Sequence, residues 1–363
     1  MKNKLINASN LHSGGGIQVA VSFIVELIKS ERYDYDIVVS SKVFDNLLSL
    51  LSPDELERIV IFDVYGLSFY NSKAKEIFDG YNVCFTIFGP FYYPVDCKVH
   101  ICGFAQPWII YPDSHAYSLL SFFERLKNKL KYSIQTKLFS NYDILVVEQN
   151  HVKDALVNLG FTSEKIEIVS NTISSIYSEP HRWEEIKATD KPNGKFCLGF
   201  LGRPYVHKNI KILKKANELL KNDFNLEVVM IFSFTDREMN ELGFNNVDNF
   251  FSTGEIKVQQ CPSFYKIIDC LIFPSLLECF SAAPIEASFM GKRVIASDLP
   301  FMKECCPNST IYFDPTDAHD IAEKIHQAYL NYNKDFQQDF SFEFINFTAK
   351  DRASKYCSII DSY

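Results

Sequence analysis

Short runs of apolar residues recur along this chain, and segments with apolar residues at helical spacing lie between them. Apolar runs of this length, bounded by turn residues, are typical of strands buried in a parallel sheet. The strand-like runs are residues 4–8, 37–39, 59–62, 83–88, 99–102, 144–147, 166–169, 196–201, 228–232, 271–273 and 293–296. The helix-like segments are residues 17–28, 42–51, 69–79, 122–139 and 316–331. The alternation of the two patterns predicts an α/β protein with parallel, doubly wound sheets.

A polar, irregular segment at residues 178–195 interrupts this alternation. A chain of 363 residues is long enough for two domains of ordinary size. We therefore predict an N-terminal Rossmann-like domain at residues 1–177, a linker at 178–195, a C-terminal Rossmann-like domain at 196–340 and a helical tail at 341–363.

Three consecutive glycines, Gly14, Gly15 and Gly16, follow the first predicted strand and precede the first predicted helix. A strand, a glycine-rich turn and a helix form the opening of a Rossmann-type unit, where the backbone can approach a ligand at the helix N-terminus. The dinucleotide fingerprint G-x-G-x-x-G is absent from this turn. The glycines by themselves therefore indicate a phosphate-binding turn no more strongly than an ordinary tight turn.

The stretch at residues 268–298 carries the strongest chemical signal. After its apolar run, Pro284 favours the first position of a helix, because proline lacks the N–H that would be unpaired there. Gly291 is predicted to end this helix before the next strand. The loop and the helix hold two carboxylates, Glu278 and Glu286, with seven residues between them.

The predicted start of this helix has few side chains that can cap it. Ala283 is a poor cap, so backbone N–H groups between Ser281 and Glu286 are available to attract an anion such as phosphate. A carboxylate in the same turn is able to accept both hydrogen bonds of a ribose diol. Phosphate and ribose together predict a nucleotide site. The alternative is that Glu286 merely complements the helix dipole, and spacing alone does not decide between the two.

A second segment with chemical character is Gly-Arg-Pro-Tyr-Val-His-Lys-Asn at residues 202–209, directly after a predicted strand. Its cations, Arg203 and Lys208, suit a diphosphate, because both side chains can pair with phosphate oxygens. Taken alone, the same segment is also compatible with a solvated turn. Its position upstream of the two carboxylates favours the diphosphate interpretation.

These two segments resemble the family 4 retaining glycosyltransferases, which have the GT-B fold. The span from Glu278 to Glu286 matches the E-x7-E motif of that family, and residues 202–209 match its G-R-x4-K-[GN] segment. The resemblance is strongest over residues 196–330 and looser over 1–175. It implies two Rossmann-like domains that face each other across a cleft, with the last helix returning to the N-terminal domain.

The resemblance also implies roles for particular residues. Arg203 and Lys208 would neutralise the leaving diphosphate, Glu278 would contact the donor sugar near the reacting carbon, and Glu286 would bind the ribose. Further donor contacts would be Gly14, Gly15, Gly16, Gly254, Ile256, Phe280, Ser281, Ala282 and Ala283. On the acceptor side, His100 and Gln106 compete for one position, and the sequence leaves that choice open.

The implied reaction is retaining, metal-independent transfer of a hexosyl sugar from a nucleotide-diphosphate sugar to a hydroxyl group of a glycan. The acceptor would be a lipid-linked oligosaccharide in bacterial surface-polysaccharide or O-antigen assembly, and no cofactor is expected beyond the nucleotide-sugar co-substrate. A nucleotide-sugar epimerase of the same fold is one alternative. A non-catalytic partner of a transferase is another, because Cys279-Phe280-Ser281 stands where the family usually has Gly-Phe-Gly.

Asp34-Tyr35-Asp36 matches D-x-D, the metal-binding motif of a different class of glycosyltransferases. A three-residue match of this kind is expected about once by chance in a chain this long. We interpret the two aspartates as solvated surface and predict that no metal is required.

The formal net charge of −8 argues against a general nucleic-acid binder. No apolar run approaches the roughly 18 residues needed to span a bilayer, and the N-terminus lacks the apolar core of a signal peptide. The ten cysteines have no metal-ligand spacing. Scattered cysteines without a secretion signal indicate reduced thiols, and we therefore expect a cytoplasmic protein.

Residues 122–139 carry five positive charges and one negative charge, a net of +4, beside apolar residues at helical spacing. This pattern predicts a basic amphipathic helix, which can lie on an anionic membrane. The more common alternative is a helix that turns its apolar face to the core. Trp108, Tyr111 and the aromatics at 91–93 favour the membrane interpretation, which would place the protein on the cytoplasmic face of the inner membrane.

Overall fold

The computed structural model describes residues 2–66, 72–186, 194–332 and 347–363. These residues form two compact units: the first contains residues 1–110, 126–174 and 347–363, and the second contains 111–125 and 175–346. Part of the predicted linker, 187–193, and the start of the predicted tail, 341–346, lie outside the described residues. The first residues of the helix predicted at 69–79 also lie outside them.

The first unit contains a seven-stranded parallel sheet with the order β3-β2-β1-β4-β5-β6-β7. Its strands are β1 Lys2–Ala8, β2 Tyr35–Val39, β3 Ile59–Ile61, β4 Tyr81–Thr86, β5 Cys97–Gly103, β6 Ile144–Val147 and β7 Ile166–Ile168. All four residues of β6 are buried, as continuous apolar strands are when helices cover both faces of a sheet. The strand order reverses between β1 and β4.

The second unit contains a six-stranded parallel sheet with the order β10-β9-β8-β11-β12-β13. Its strands are β8 Cys197–Phe200, β9 Val229–Phe232, β10 Phe250–Ser252, β11 Cys270–Phe273, β12 Arg293–Ser297 and β13 Ile311–Phe313. Here the order reverses between β8 and β11. The predicted α/β class with doubly wound parallel sheets is confirmed in both units.

Helices connect the strands in each unit. They are α1 Gly15–Lys29, α2 Ser41–Leu47, α3 Pro53–Leu56, α4 Ser72–Phe78, α5 Pro107–Ile110, α6 Phe122–Phe139, α7 Asn150–Asn158, α8 Ile212–Asp223, α9 Asp236–Leu242, α10 Cys261–Ile267, α11 Ala282–Phe289, α12 Pro300–Cys305, α13 Ala318–Leu330 and α14 Ala349–Asp361. In α8 the buried residues Leu213, Ala216 and Leu220 recur at helical spacing, so one stripe of the helix faces the core. No helix among the described residues has the length and apolar character that a membrane crossing requires.

The C-terminal helix α14 completes the first unit by packing against α1. The ring of Tyr356 lies 5.1 Å from Phe23 on α1 and 5.2 Å from Phe85 on β4. Arg352, on the same helix, is buried and donates a hydrogen bond to Asn171. Aromatic packing and a buried cation thus attach the last helix to the sheet formed by the first part of the chain.

Asp34 of the D-x-D match is half-buried and has protein partners, which corrects its interpretation as solvated surface, whereas Asp36 is exposed as predicted. Asp34 forms ion pairs with Lys4 and Arg32, each at 3.0 Å. Asp36 accepts a hydrogen bond of 2.9 Å from Tyr81 Oη. Lys4 pairs in addition with Asp361 at the end of α14. Asp34 is therefore part of the contacts that join β1, β2 and α14, whereas Asp36 joins β2 to β4.

Candidate active site

The loops that follow β8 and β11 leave the second sheet at the point where its strand order reverses. The two strands are direct neighbours, with Cys270 paired to Leu198 and Leu271 paired to Gly199. The carboxyl ends of parallel strands lie at the same edge of a sheet, and open α/β sheets bind ligands where the order reverses. Residues 201–211 and 274–281 are therefore brought together although they are far apart in the chain.

Lys208 and Glu278 form an ion pair between these two loops, with Lys208 Nζ 2.5 Å from Glu278 Oε1. Ser275 Oγ donates a second hydrogen bond of 2.5 Å to the same oxygen. The Lys208 ammonium also lies 4.8 Å from the centre of the Phe273 ring, at the end of β11. The side chains of Lys208 and Glu278 are 16% and 9% exposed, so water screens this pair only weakly.

Backbone contacts hold the 202–209 segment in place. Gly202 has φ 142°, a conformation that favours glycine, and its N–H donates a 3.0 Å hydrogen bond to Ser233 Oγ. Asn209 adopts the left-handed conformation, with φ 55°, and its side chain donates to the carbonyl of Pro315 at 2.7 Å. These contacts fix both ends of the turn that carries Lys208.

His207, next to Lys208, links the same turn to the β11 loop through its carbonyl, which accepts a 2.8 Å hydrogen bond from the N–H of Leu276. Burial lowers the pKa of the His207 imidazole to about 4, and the Lys208 charge acts in the same direction, against the opposing effect of Glu278. The imidazole is therefore neutral near pH 7 and adds no charge beside the Lys208–Glu278 pair.

Arg203 forms ion pairs with carboxylates other than that of Glu278. Its Nη2 lies 2.7 Å from Glu238 Oε1, and its Nη1 lies 3.7 Å from Glu255 Oε1. Because Glu255 stands between Gly254 and Ile256, this contact brings Arg203 to the loop that contains these two predicted donor contacts. Glu238 and Glu255 were not predicted from the sequence, which has no spacing signal that connects either of them to Arg203.

The Gly254 loop has its own support. Gly254 has φ 73°, in the left-handed region, and its N–H donates a 2.9 Å hydrogen bond to Ser252 Oγ at the end of β10. Ile256 is half-buried in the same loop. A side chain at position 254 would strain the turn, so glycine is required here by the backbone conformation.

Helix α11 begins earlier than the sequence predicted. It starts at Ala282, so Pro284 is its third residue and not its first. Proline is tolerated throughout the first turn, because none of the N–H groups there has a partner within the helix. Ser281 occupies the N-cap position, and among the described residues its side chain makes no capping hydrogen bond to the helix. Phe280 precedes it and is half-buried.

The end of α11 was predicted correctly at Gly291. This glycine has φ 74°, and its N–H donates to the carbonyl of Ser288, while the N–H of Lys292 donates to Ala287. The two hydrogen bonds form a Schellman motif, for which the left-handed conformation at Gly291 is needed.

Glu286 lies on α11, one turn beyond the N-terminal residues Ala282 and Ala283. Its Oε2 accepts a hydrogen bond of 2.9 Å from the hydroxyl of Tyr265, a fully buried residue of α10. Burial raises the pKa of the Glu286 carboxyl, and the hydrogen bonds of Tyr265 and Tyr177 oppose this rise. Sequence analysis missed both tyrosines, because nothing in the pattern of α10 distinguishes Tyr265 from an ordinary core aromatic.

The predicted glycines of the first unit open α1. Gly14 is the N-cap residue, with φ 78°, and Gly15 and Gly16 form the first turn. A Cβ atom at position 16 would lie 3.3 Å from the ring of Phe88, so packing favours glycine there. The strand, turn and helix arrangement of the Rossmann-type opening is confirmed.

The two acceptor-side candidates have different surroundings in the first unit. His100 lies within β5, where its Nε2 hydrogen-bonds to Thr86 Oγ1 at 3.1 Å and its ring meets Tyr142 edge-on at 4.6 Å. Burial lowers the pKa of His100 to about 4. Gln106 follows β5, and its carbonyl accepts a 3.0 Å hydrogen bond from the N–H of Ile109 at the start of α5. Their roles at an acceptor stay predictions.

No group of three or more histidine, cysteine, aspartate or glutamate side chains suited to a metal ion occurs among residues 2–66, 72–186, 194–332 and 347–363. The Lys208–Glu278–Ser275 cluster consists instead of a cation, a carboxylate and a hydroxyl group. Such a set can bind the hydroxyl groups of a sugar and the oxygens of a phosphate.

Comparison with known proteins gives a family match and curated relatives. Residues 181–341 match the family described as glycosyl transferases group 1. The O-antigen chain mannosyltransferase RfbU of Salmonella typhimurium is 27% identical over 152 residues, which cover 41% of this chain and 42% of that protein. This chain therefore spans less than half of the length of that relative.

Solved structures resemble the chain over nearly its whole length. Anabaena Alr3699/HepE, solved with UDP and glucose, has a TM-score of 0.59 at 14% identity. The match covers 100% of this chain and 95% of the Alr3699/HepE chain. An α,α-trehalose-phosphate synthase (UDP-forming) from Burkholderia vietnamiensis has a TM-score of 0.65 at 9% identity and covers 100% of both chains. At these identities the likeness shows the fold, which is GT-B.

The sequence resemblance noted for residues 196–330 falls within the part of the chain that matches the family. The parallel sheets, the reversal of strand order between β8 and β11 and the global likeness to GT-B structures agree with one another. This chain therefore has the GT-B fold, and its residues 181–341 match the family described as glycosyl transferases group 1.

Proposed function

We propose that the protein is a retaining, metal-independent glycosyltransferase that moves a hexosyl group from a nucleotide-diphosphate sugar to a hydroxyl group of a lipid-linked oligosaccharide. The observation that carries this proposal is the Lys208–Glu278 ion pair, at 2.5 Å, where the strand order of the second sheet reverses. The family match and the solved complex of Alr3699/HepE with UDP support a nucleotide-sugar donor. The O-antigen relative supports a role in bacterial surface-polysaccharide assembly.

In the proposed reaction, the bond between the sugar carbon and the diphosphate breaks while an acceptor oxygen bonds to the same carbon. The acceptor proton passes to an oxygen of the departing diphosphate. Lys208 and Arg203 stabilise the negative charge that grows on this leaving group, and such electrostatic stabilisation is a large part of many enzymatic rate enhancements. These cations supply the positive charge that a metal ion provides in other transferases. Glu278 orients the donor sugar near the reacting carbon.

The nucleotide part of the donor is proposed to bind along α11 and the Gly254 loop. Backbone N–H groups at Ala282 and Ala283 suit the diphosphate, since the N-terminus of a helix attracts anions. Oε1 of Glu286 suits the ribose hydroxyl groups, because Tyr265 already occupies Oε2. The loop that contains Gly254 and Ile256 suits the base, whose identity these contacts leave open.

Replacing Glu286 by alanine is expected to weaken nucleotide-sugar binding about 30-fold, because hydrogen bonds to a charged group contribute about 2 kcal/mol. Isothermal titration calorimetry with UDP-, GDP- and dTDP-sugars measures this loss and identifies the base. Glu241, exposed on α9, provides the control variant Glu241→Ala. A donor that lacks both ribose hydroxyl groups should bind to wild type and to Glu286→Ala with the same affinity. If Glu286→Ala also binds this donor about 30-fold more weakly than wild type does, the ribose assignment is wrong.

Nucleotide binding is expected to depend on pH through Glu286. Protonation of its carboxyl removes an acceptor for the ribose, so affinity should fall as the pH decreases through the pKa of Glu286. The Tyr265 hydrogen bond lowers that pKa against the effect of burial. Tyr265→Phe should therefore shift the midpoint of the binding curve to higher pH, while Glu286→Gln should remove the dependence. An unchanged midpoint in a folded Tyr265→Phe protein would refute the role of this tyrosine.

Turnover with a bacterial lipid extract tests the proposed function as a whole. Sugar from the donor should become bound to lipid, and NMR of the product should show the anomeric configuration of the donor. An epimerase would instead convert the nucleotide sugar without any acceptor. A non-catalytic partner would bind the donor and leave it unchanged with every extract. Either result would overturn the proposal.

A further inference from the structure

Helix α6 begins at a capping box and extends from Phe122 to Phe139, the bounds predicted from the sequence. Ser121 Oγ and its backbone N–H both donate to Glu124 Oε2, at 2.6 and 2.9 Å, and the N–H of Glu124 donates back to Ser121 Oγ. Such reciprocal hydrogen bonds define the N-terminus of a helix through its own residues.

The apolar stripe of α6 faces outward, so the alternative of a core-facing helix is wrong for these residues. The exposed apolar residues of the stripe are Phe122, Phe123, Leu126, Leu130 and Ile134, and their exposed fractions range from 52% to 80%. With 3.6 residues per turn, Phe122 and Ile134 mark the two edges of a stripe about 120° wide. A contiguous exposed apolar surface of this kind marks an interaction site more often than isolated exposed residues do.

Residues 126–139 of α6 belong to the first unit, and the face opposite the stripe attaches them there. Phe139 is fully buried, with its ring 4.7 Å from that of Phe104. Gln135 Nε2 donates a 2.8 Å hydrogen bond to the hydroxyl of Tyr92, and the ring of Tyr132 stacks on Trp108 at 6.1 Å. The helix therefore has a buried attachment, and its orientation does not depend on covering the apolar stripe.

The aromatic residues that the sequence grouped with this helix are not part of its exposed stripe. Phe91 and Tyr93 are buried in the core of the first unit, and Tyr92 and Trp108 contact the attached face of α6. Tyr111 belongs to the second unit, where its ring lies 5.8 Å from Phe301. These side chains support the structure and do not enlarge the exposed stripe.

Exposed lysines flank the apolar stripe. Lys129 lies along one edge, Lys127 and Lys131 lie along the other, and Lys137 lies near the C-terminal end. The segment has a net charge of +4 in a protein whose formal net charge is −8, so positive charge is concentrated on this helix. Lysine is depleted at protein–protein interfaces, whereas an apolar stripe edged by lysines is typical of helices that lie in the interface of an anionic membrane.

We propose that this face of α6 binds the surface of an anionic lipid bilayer. The helix lies in the plane of the interface, with its five exposed apolar side chains among the upper acyl chains and its lysines at the lipid phosphates. This inference deepens the proposed function, on which it rests for the lipid-linked acceptor, because it identifies the part of the protein that meets the membrane carrying that acceptor.

Vesicle flotation of the full-length protein tests the charge contribution. Wild type should float with vesicles of phosphatidylcholine containing a minority of phosphatidylglycerol, and much less with phosphatidylcholine alone. The triple variant Lys127→Gln/Lys129→Gln/Lys131→Gln should lower the partition coefficient on the order of 100-fold, since each lysine near an anionic surface contributes about 1 kcal/mol. The control removes the same charge from exposed positions of α8, Lys214→Gln/Lys215→Gln/Lys221→Gln, and should remain within about twofold of wild type.

A second pair of variants tests the apolar contribution. Leu126→Ser/Leu130→Ser should weaken flotation about 100-fold, because two leucine side chains then no longer enter the acyl region. The matched control is Leu48→Ser/Leu330→Ser, whose leucines are 54% and 59% exposed at the C-terminal ends of α2 and α13. Equal flotation of the α6 variants and their controls would overturn the proposal, as would a wild type that floats with neither vesicle.

Light scattering and nucleotide-sugar binding distinguish membrane binding from self-association and from a failure of the proposed function. If light scattering shows wild type as a dimer and Leu126→Ser/Leu130→Ser as a monomer, the stripe is a contact between two copies and the membrane proposal is wrong. Nucleotide-sugar affinity in solution should be unchanged in all α6 variants. If wild type floats on anionic vesicles but binds no nucleotide sugar, the proposed function fails while the membrane surface stands.

Discussion

Replacement of Lys208 by alanine is expected to lower kcat for sugar transfer at least about 100-fold, because removing one group that stabilises developing charge typically costs this much. In the folded protein Lys208 is held by Glu278 at 2.5 Å and lies against the Phe273 ring, so its ammonium is already positioned before the donor binds. A positioned charge needs no reorganisation in the transition state. The loss should therefore appear mainly in kcat, as measured by the initial rate of transfer from a saturating donor.

Two comparisons separate this effect from a loss of folding. Lys303→Ala breaks an ion pair of similar length, 2.7 Å to Asp298, that is more than half exposed, and should leave kcat unchanged. Lys208→Ala also leaves Glu278 without its cation in a largely buried position, which should lower the melting temperature. The double variant Lys208→Ala/Glu278→Ala should recover part of that stability and none of the activity. Full activity in either variant would exclude Lys208 from the reaction.

Replacement of Arg352 by alanine is expected to lower the free energy of unfolding by about 3 kcal/mol, the range observed when one partner of a buried ionic cluster is removed. Arg352 is 2% exposed on α14 and donates a hydrogen bond to Asn171. Its charge also acts on Glu148, a buried carboxyl whose pKa is raised by burial to about 7 in spite of Arg352. Denaturant unfolding at pH 8, where Glu148 is ionised, measures the loss.

The same helix offers the control. Lys350→Ala removes an exposed cation from α14 and should change the free energy of unfolding by less than about 0.5 kcal/mol. Arg352→Leu/Glu148→Leu removes both buried charges and should recover much of the stability, because apolar side chains of similar volume can replace a buried ionic pair. A neutral effect of Arg352→Ala would show that α14 is held by its aromatic packing alone.

The alternation of apolar runs and helical segments determined much of the fold. Residues 144–147 and 166–169 were predicted as strands: the first run is β6, and the second contains all of β7 and one further residue. Residues 122–139 form α6 at the predicted bounds. Such local features depend on side-chain periodicity and on caps within a few residues of each other. For the same reason the end of α11 at Gly291 was predictable, whereas its start was misplaced because proline is compatible with several positions of a first turn.

The residues of the site were chosen by motif, and the tertiary structure decided which of them meet. Lys208 and Glu278 are 70 positions apart, and they form a pair because β8 and β11 are neighbours in the sheet. Arg203, from the same motif as Lys208, pairs with Glu238 and Glu255 instead. No spacing rule predicts these partners, since Glu238 lies on α9 and Glu255 in the loop after β10.

The sequence by itself determined the two parallel α/β sheets, the glycine turns and the amphipathic character of α6. The tertiary structure alone decided that the apolar stripe of α6 is exposed, that Tyr265 donates a hydrogen bond to Glu286 and that the Arg352 side chain of α14 is buried. The physical reason is that periodicity defines a face of a helix or strand but does not specify what packs against it. Burial is a property of distant segments brought together, and it is fixed only when the strand order and the helix packing are complete.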